Sequence, residues 1–163
     1  MISQDRRGRR GLRWAAAVVI VVSAGLLSAC SDHDERAYSY DSGDMSLENG
    51  VKLYGLIMPD CPYDDVHYAL VGDWGHDIYL SFSASSECML SFLRVNAMEG
   101  GEPAGAPGAY FQLAAKTDEV GWSFPIDHSY VSYHGNRTGG RPLEIIVDTT
   151  ADKQVLYLFG FPV

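Results

Sequence analysis

LEIIVDTTADKQVLYLFGF, residues 143–161, sets two runs rich in strand formers on either side of a short polar connection. Leu143 to Asp148 and Val155 to Phe161 are each long enough for a strand. Thr149-Thr150-Ala151-Asp152-Lys153 between them suits a hairpin loop of four or five residues. Working outward, residues 66–71 form another run of strand formers, followed by the turn signal Gly72-Asp73, and Ile78, Leu80 and Phe82 alternate with Tyr79 and Ser81. This predicts a second antiparallel pair joined across residues 72–77. The near-continuous apolar run 51–58, ended by Pro59, also reads as a strand.

The pattern changes in the middle of the chain. Residues 83–86 offer serine N-caps, Glu87 suits a first helical turn, and Cys88, Leu90, Phe92, Leu93 and Val95 fall along one helical face. One short helix is predicted over residues 86–97. Residues 99–109, with four glycines and two prolines, read as a long loop. Trp122 and Phe124 are expected to reach the core, and residues 128–134 alternate weakly as a further strand. Together these readings predict a mainly β, α+β domain: a small antiparallel sheet or sandwich with one short packed helix.

The other decisive region is the N-terminus. Arg6, Arg7, Arg9, Arg10 and Arg13 precede the apolar stretch 14–27, which has the layout of an export signal and at 14 residues is short for a span that needs about 20. Leu27-Ser28-Ala29-Cys30 closes it. These four residues and their context resemble the lipobox of bacterial lipoproteins, and the overall plan resembles small actinobacterial envelope lipoproteins. The resemblance implies cleavage before Cys30, acylation of its thiol, and a mature protein held by lipid to the extracytoplasmic face of the cell membrane. Residues 1–29 are then the signal peptide, 30–49 an acidic flexible tether, and 50–163 one globular domain.

Losing residues 1–29 removes five arginines and Asp5, leaving 7 basic and 20 acidic residues and a net charge of −13. Such a domain repels polyanions, so nucleic acid is an unfavourable partner, and anionic headgroups offer it no electrostatic docking. The membrane is engaged through lipid on Cys30. An envelope protein or glycan is the further partner expected. Two cysteines remain, Cys61 and Cys88, and in an exported chain an even pair reads as a disulfide. Zinc held by these two with His67 and His76 would lack the close ligand pairs of structural sites.

Candidate sites are few. Asp60, Asp64 and Asp65 crowd one loop and Asp73, His76 and Asp77 the next, so calcium is the one cofactor to consider if the loops share an end of the sheet. Trp74, with Tyr63 or Tyr133 beside it, would make an aromatic surface able to stack on a sugar or grip a partner chain. Gly121-Trp122-Ser123-Phe124-Pro125 lacks the closing glycine of a nucleophile elbow, and Asp127-His128-Ser129 holds triad residue types as sequence neighbours, which point apart. The function expected is a lipid-anchored binding or interaction module. The alternative is a small envelope hydrolase or metal-dependent enzyme using carboxylates with His67 and His76.

Overall fold

Seven successive residues of the strand Asp77–Ser85 are buried, which requires cover on both faces of the sheet it belongs to. The computed structural model describes residues 34–39, 45–72, 77–105, 120–136 and 142–160. In chain order they form α1 (Leu47–Tyr54), β1 (Tyr63–Val71), β2 (Asp77–Ser85), α2 (Ser86–Val95), β3 (Glu99–Ala104), β4 (Tyr130–Asn136), β5 (Pro142–Asp148) and β6 (Lys153–Gly160). The strands make one open sheet in the order β1-β2-β6-β5-β4-β3, with every neighbouring pair antiparallel. Among the described residues the fold is therefore α+β, with one open sheet rather than a sandwich and two helices where one was expected.

Register divides the side chains of each strand between two chemistries. Ile78, Leu80 and Phe82 of β2 lie level with Gly160, Leu158 and Leu156 of β6, and the row continues through Leu143, Ile145 and Val147 of β5. Both helices pack on this aliphatic face, contributing Leu47 and Tyr54 from α1 and Cys88, Met89, Phe92 and Leu93 from α2. The opposite face carries Tyr79, Ser81, Tyr157, Phe159 and Ile146.

Gly160 sits where the aliphatic face is tightest. A Cβ there would come within 2.6 Å of Tyr54, 2.7 Å of Leu143 and 2.8 Å of Ile78, and the Tyr54 hydroxyl donates to the Gly160 carbonyl at 3.1 Å. Gly160→Ala is expected to destabilise by about 1–3 kcal/mol through overpacking. Chemical denaturation of the variant checks this, and an unchanged midpoint would contradict it.

Three expectations are corrected. The run 51–58 is not a strand: α1 ends inside it. Ser46 caps the helix by accepting from the Asn49 amide, Glu48 and Lys52 suit its two ends, and Gly55 at φ 54° closes it in the left-handed conformation. The apolar run straddles a helix terminus, so its length misleads. Residues 99–104 are the edge strand β3 instead of loop. Gly100 and Gly101, at φ 113° and 86°, form an irregularity between Gly100 and Glu102, a use of glycine that composition cannot separate from a loop. Residues 105–109 of that stretch make no strand at Gly105 and otherwise lie outside the described residues.

The tether is the third correction. Residues 34–39 pack on β1 through backbone bonds from the Tyr38 amide to the Tyr68 carbonyl (2.7 Å) and from the Tyr68 amide to the Arg36 carbonyl (2.9 Å), with a parallel bridge between Ala37 and Tyr68. Leu47 is buried and Met45 packs against the core. The folded domain thus begins at or before Asp34, not near Gly50. Tyr38 and Tyr68 supply contacts that a polar composition hid.

Candidate functional site

The face of the sheet away from the helices is built largely from aromatic rings. Tyr79 and Phe159, level on β2 and β6, meet in a tilted pair at 4.9 Å between centroids and form the floor. Tyr157, one pleat along β6 on the same face, stands against Trp122 (5.4 Å) and Phe124 (4.9 Å), and Phe124 also meets Tyr130 (5.9 Å). Edge-to-face geometry prevails among these pairs, as ring quadrupoles favour. Trp122 and Tyr130 are buried, whereas Tyr38, Phe124 and Tyr157 are half-buried.

Hydrogen bonds fix this layer. The Trp122 indole donates to the Tyr38 hydroxyl at 2.8 Å, and that hydroxyl shares a second bond with Ser81 Oγ at 2.6 Å. One oxygen from the N-terminal strip therefore joins the loop at Trp122 to β2. The Tyr130 hydroxyl donates to the Pro125 carbonyl at 3.0 Å and closes the loop on itself. The Tyr157 hydroxyl has no hydrogen-bond partner among the described residues, although its ring is held on two sides.

At the rim, His128 Nδ1 meets Asp148 Oδ2 at 2.5 Å, and the Thr150 amide donates to Asp148 Oδ1 at 2.9 Å. Burial pushes the Asp148 carboxyl up, but the bonds from His128 and Thr150 outweigh it and leave it below its ordinary value. A histidine oriented by a carboxylate is two-thirds of a catalytic triad. No hydroxyl among the described residues is hydrogen-bonded to His128, however, and the pair braces residues 125–130 against the β5–β6 turn, where Thr149 and Thr150 bond Ser129. Asp127 is not the partner of His128, and Ser123 lies exposed in a loop without a strand-to-helix setting.

Three tyrosines of this layer are poised to resist ionisation. Burial, followed by the nearby Asp148 charge, pushes Tyr130 up to about 12. Burial likewise raises Tyr157 and, against the bonds from Ser81 and Trp122, Tyr38. A raised folded-state value gives stability that is complete below the ordinary 10.0 and is lost as pH climbs through about 12. The protein should hold its near-ultraviolet circular dichroism to about pH 10 and lose it between there and about pH 12, with tyrosinate absorbance rising in the same window. Tyrosinate formation in the intact fold below that window would contradict the packing.

The residues singled out from sequence fare unevenly. Cys61 and Cys88 are joined in a disulfide with Cα atoms 5.8 Å apart. Of the aromatic candidates, Tyr63 and Tyr133 lie apart. Tyr63 on β1 meets Phe82 edge to face at 5.7 Å and Tyr133 on β4 packs at the other side of the helix-covered face, four strand spacings or about 19 Å away. Trp74, Asp73 and His76 lie outside the described residues, as does Cys30.

Asp64 and Asp77 do not converge either. Asp64 lies opposite Ser83 and Asp77 opposite Val71, which puts them at opposite ends of the β1–β2 ladder, about 20 Å apart at the strand rise. Asp64 and Asp65 engage Lys153 at 3.1 and 3.3 Å. Asp65 also accepts from Ser83 Oγ at 2.7 Å, and these bonds from Ser83 and Lys153 lower its carboxyl. Asp65 at φ 51° sits in the bulge before His67, a conformation aspartate tolerates. Asp60 precedes β1 at the Asp64 end, so Asp60, Asp64 and Asp65 do not share a site with Asp77. Among the described residues no three histidine, cysteine or carboxylate groups are arranged to hold a metal. His67 is exposed, with its ring 5.4 Å from Tyr38.

Reading the chain by segments missed Tyr38, Tyr130, Tyr157 and the His128–Asp148 pair. A signal for Tyr157 and Phe159 was present: in Val155-Leu156-Tyr157-Leu158-Phe159 alternate positions separate leucine from aromatic side chains. No protein-family model, curated protein or solved structure matches this chain.

Proposed function

We propose that this chain is a lipid-anchored, extracytoplasmic binding module of a bacterial envelope, and that the aromatic face around Tyr157 is its recognition surface. The anchor rests on the arginine-rich start, the short apolar stretch and Leu27-Ser28-Ala29-Cys30. The observation that carries the binding role is Tyr157 itself. Its ring lies in a preformed bed of Trp122 and Phe124, half-open to solvent, with a hydroxyl free to bond a ligand. Rigid amphipathic aromatics of this kind bind at little entropic cost and suit an envelope glycan or protein. Catalysis is the weaker reading, because His128 and Asp148 brace a loop and meet no nucleophile among the described residues.

The test works without the ligand being identified. Benzoylphenylalanine replacing Tyr157 in cells, with the same residue replacing the exposed Leu90 on α2 as reference, reports which face touches a partner on irradiation. Adducts from position 157 and none from position 90 are expected. Adducts from position 90 alone, or from neither, would overturn the assignment.

A further inference from the structure

We infer that the lipid holds the β1 edge of the domain directly against the outer leaflet, with no spacer between membrane and fold. This rests on the lipoprotein reading of Cys30. Only Ser31, Asp32 and His33 stand between the acylated cysteine and Asp34. Four residues reach at most about 14 Å when fully extended. Asp34 is part of the domain: its carboxylate binds the Arg36 guanidinium at 2.7 Å and accepts from the Tyr68 hydroxyl at 3.2 Å, and Arg36 also reaches Glu48 on α1 at 2.9 Å. Four residues on, Tyr38 is tied to Ser81 and Trp122.

The strip is thus fastened at both ends, first to β1 and α1 and then to the aromatic face. The Arg36 side chain, with its amide, holds the Asp34 carboxyl at about 2, so the stability this ion pair contributes is present above the ordinary 3.8 and is lost as pH falls through about 2. Lipid inserted in the leaflet therefore keeps the strip, the N-terminal turn of α1 and the β1 edge within one short reach of the headgroups. β3, at the opposite edge, lies five strand spacings or about 24 Å further away. The aromatic face, which runs across the sheet from β1 to β4, then stands steeply to the membrane with its Tyr38 side nearest.

The test uses acylated protein in vesicles of phosphatidylethanolamine and phosphatidylglycerol containing a lipid with a nitroxide headgroup. A fluorophore is placed on Asn49→Cys of α1 or on Glu102→Cys of β3, both exposed. Quenching several-fold stronger at position 49 than at position 102 is expected, and adding Arg36→Ala together with Tyr38→Phe, which removes the side-chain ties at both ends of the strip, should narrow the difference. Equal quenching in the chain that keeps Arg36 would overturn the inference while leaving the lipoprotein reading intact. Failure of the lipoprotein reading shows separately, as absence of acyl chains on Cys30 in the mass of the same preparation.

Discussion

Phe82→Ala is expected to cost about 3–5 kcal/mol, the range for emptying a large aromatic site in a closed core. Phe82 is fully buried on β2, and its ring meets Phe92 of α2 at 5.2 Å and Tyr63 of β1 at 5.7 Å. Its neighbours are held by the β ladder on one side and by α2 on the other, so the space left cannot collapse. Urea denaturation should show a lower midpoint with unchanged slope. A loss below about 1.5 kcal/mol would mean that α2 does not pack on this face.

Replacing both Cys61 and Cys88 by serine should cost about 3.6 kcal/mol in the chain-entropy treatment, since the bond closes a loop of sequence separation 27. The bond joins the loop before β1 to the first turn of α2, while Asn96 at the other end of that helix bonds the Ile57 backbone in both directions, at 2.8 and 2.9 Å. Helix and loop are therefore held together at two places, and loss of the covalent one leaves the polar one to hold alone. Thermal unfolding with and without reductant measures the effect. A melting temperature indifferent to reductant would contradict it.

Much of this fold was readable because its signals are local. The β5–β6 hairpin and the β1–β2 pair announce themselves by strand formers around short polar turns, and Ser85, Glu87 and the apolar spacing of α2 mark a helix by its own cap and face. One failure turned on helix caps a few residues away; in the other two a partner distant in sequence decides the outcome. Val51 reads as strand until Ser46 and Gly55 are recognised as caps on either side of it. Gly100 and Gly101 read as loop until β4 pairs with them. Tyr38 reads as tether until Ser81 and Trp122, 43 and 84 residues away, are seen to bond its hydroxyl.

The candidate site was less readable still. Aspartates dense in sequence at residues 60–65 and 73–77 suggested convergence, but Asp64 and Asp77 stand at opposite ends of the β1–β2 ladder. Tyr130 and Tyr157 come from strands that are separated in the sheet by β5, so only the register reveals their shared face. His128 meets Asp148 rather than its neighbour Asp127 for a similar reason, since the start of β4 lies beside the end of β5.

The proposed lipid anchor and the disulfide are tested in one step by the intact mass of the protein extracted natively from membranes, with thiol alkylation before and after reduction. A chain beginning at Cys30 with two or three acyl chains is expected, with two thiols, Cys61 and Cys88, open to alkylation only after reduction. A chain that retains residues 1–29 and carries no lipid would contradict it.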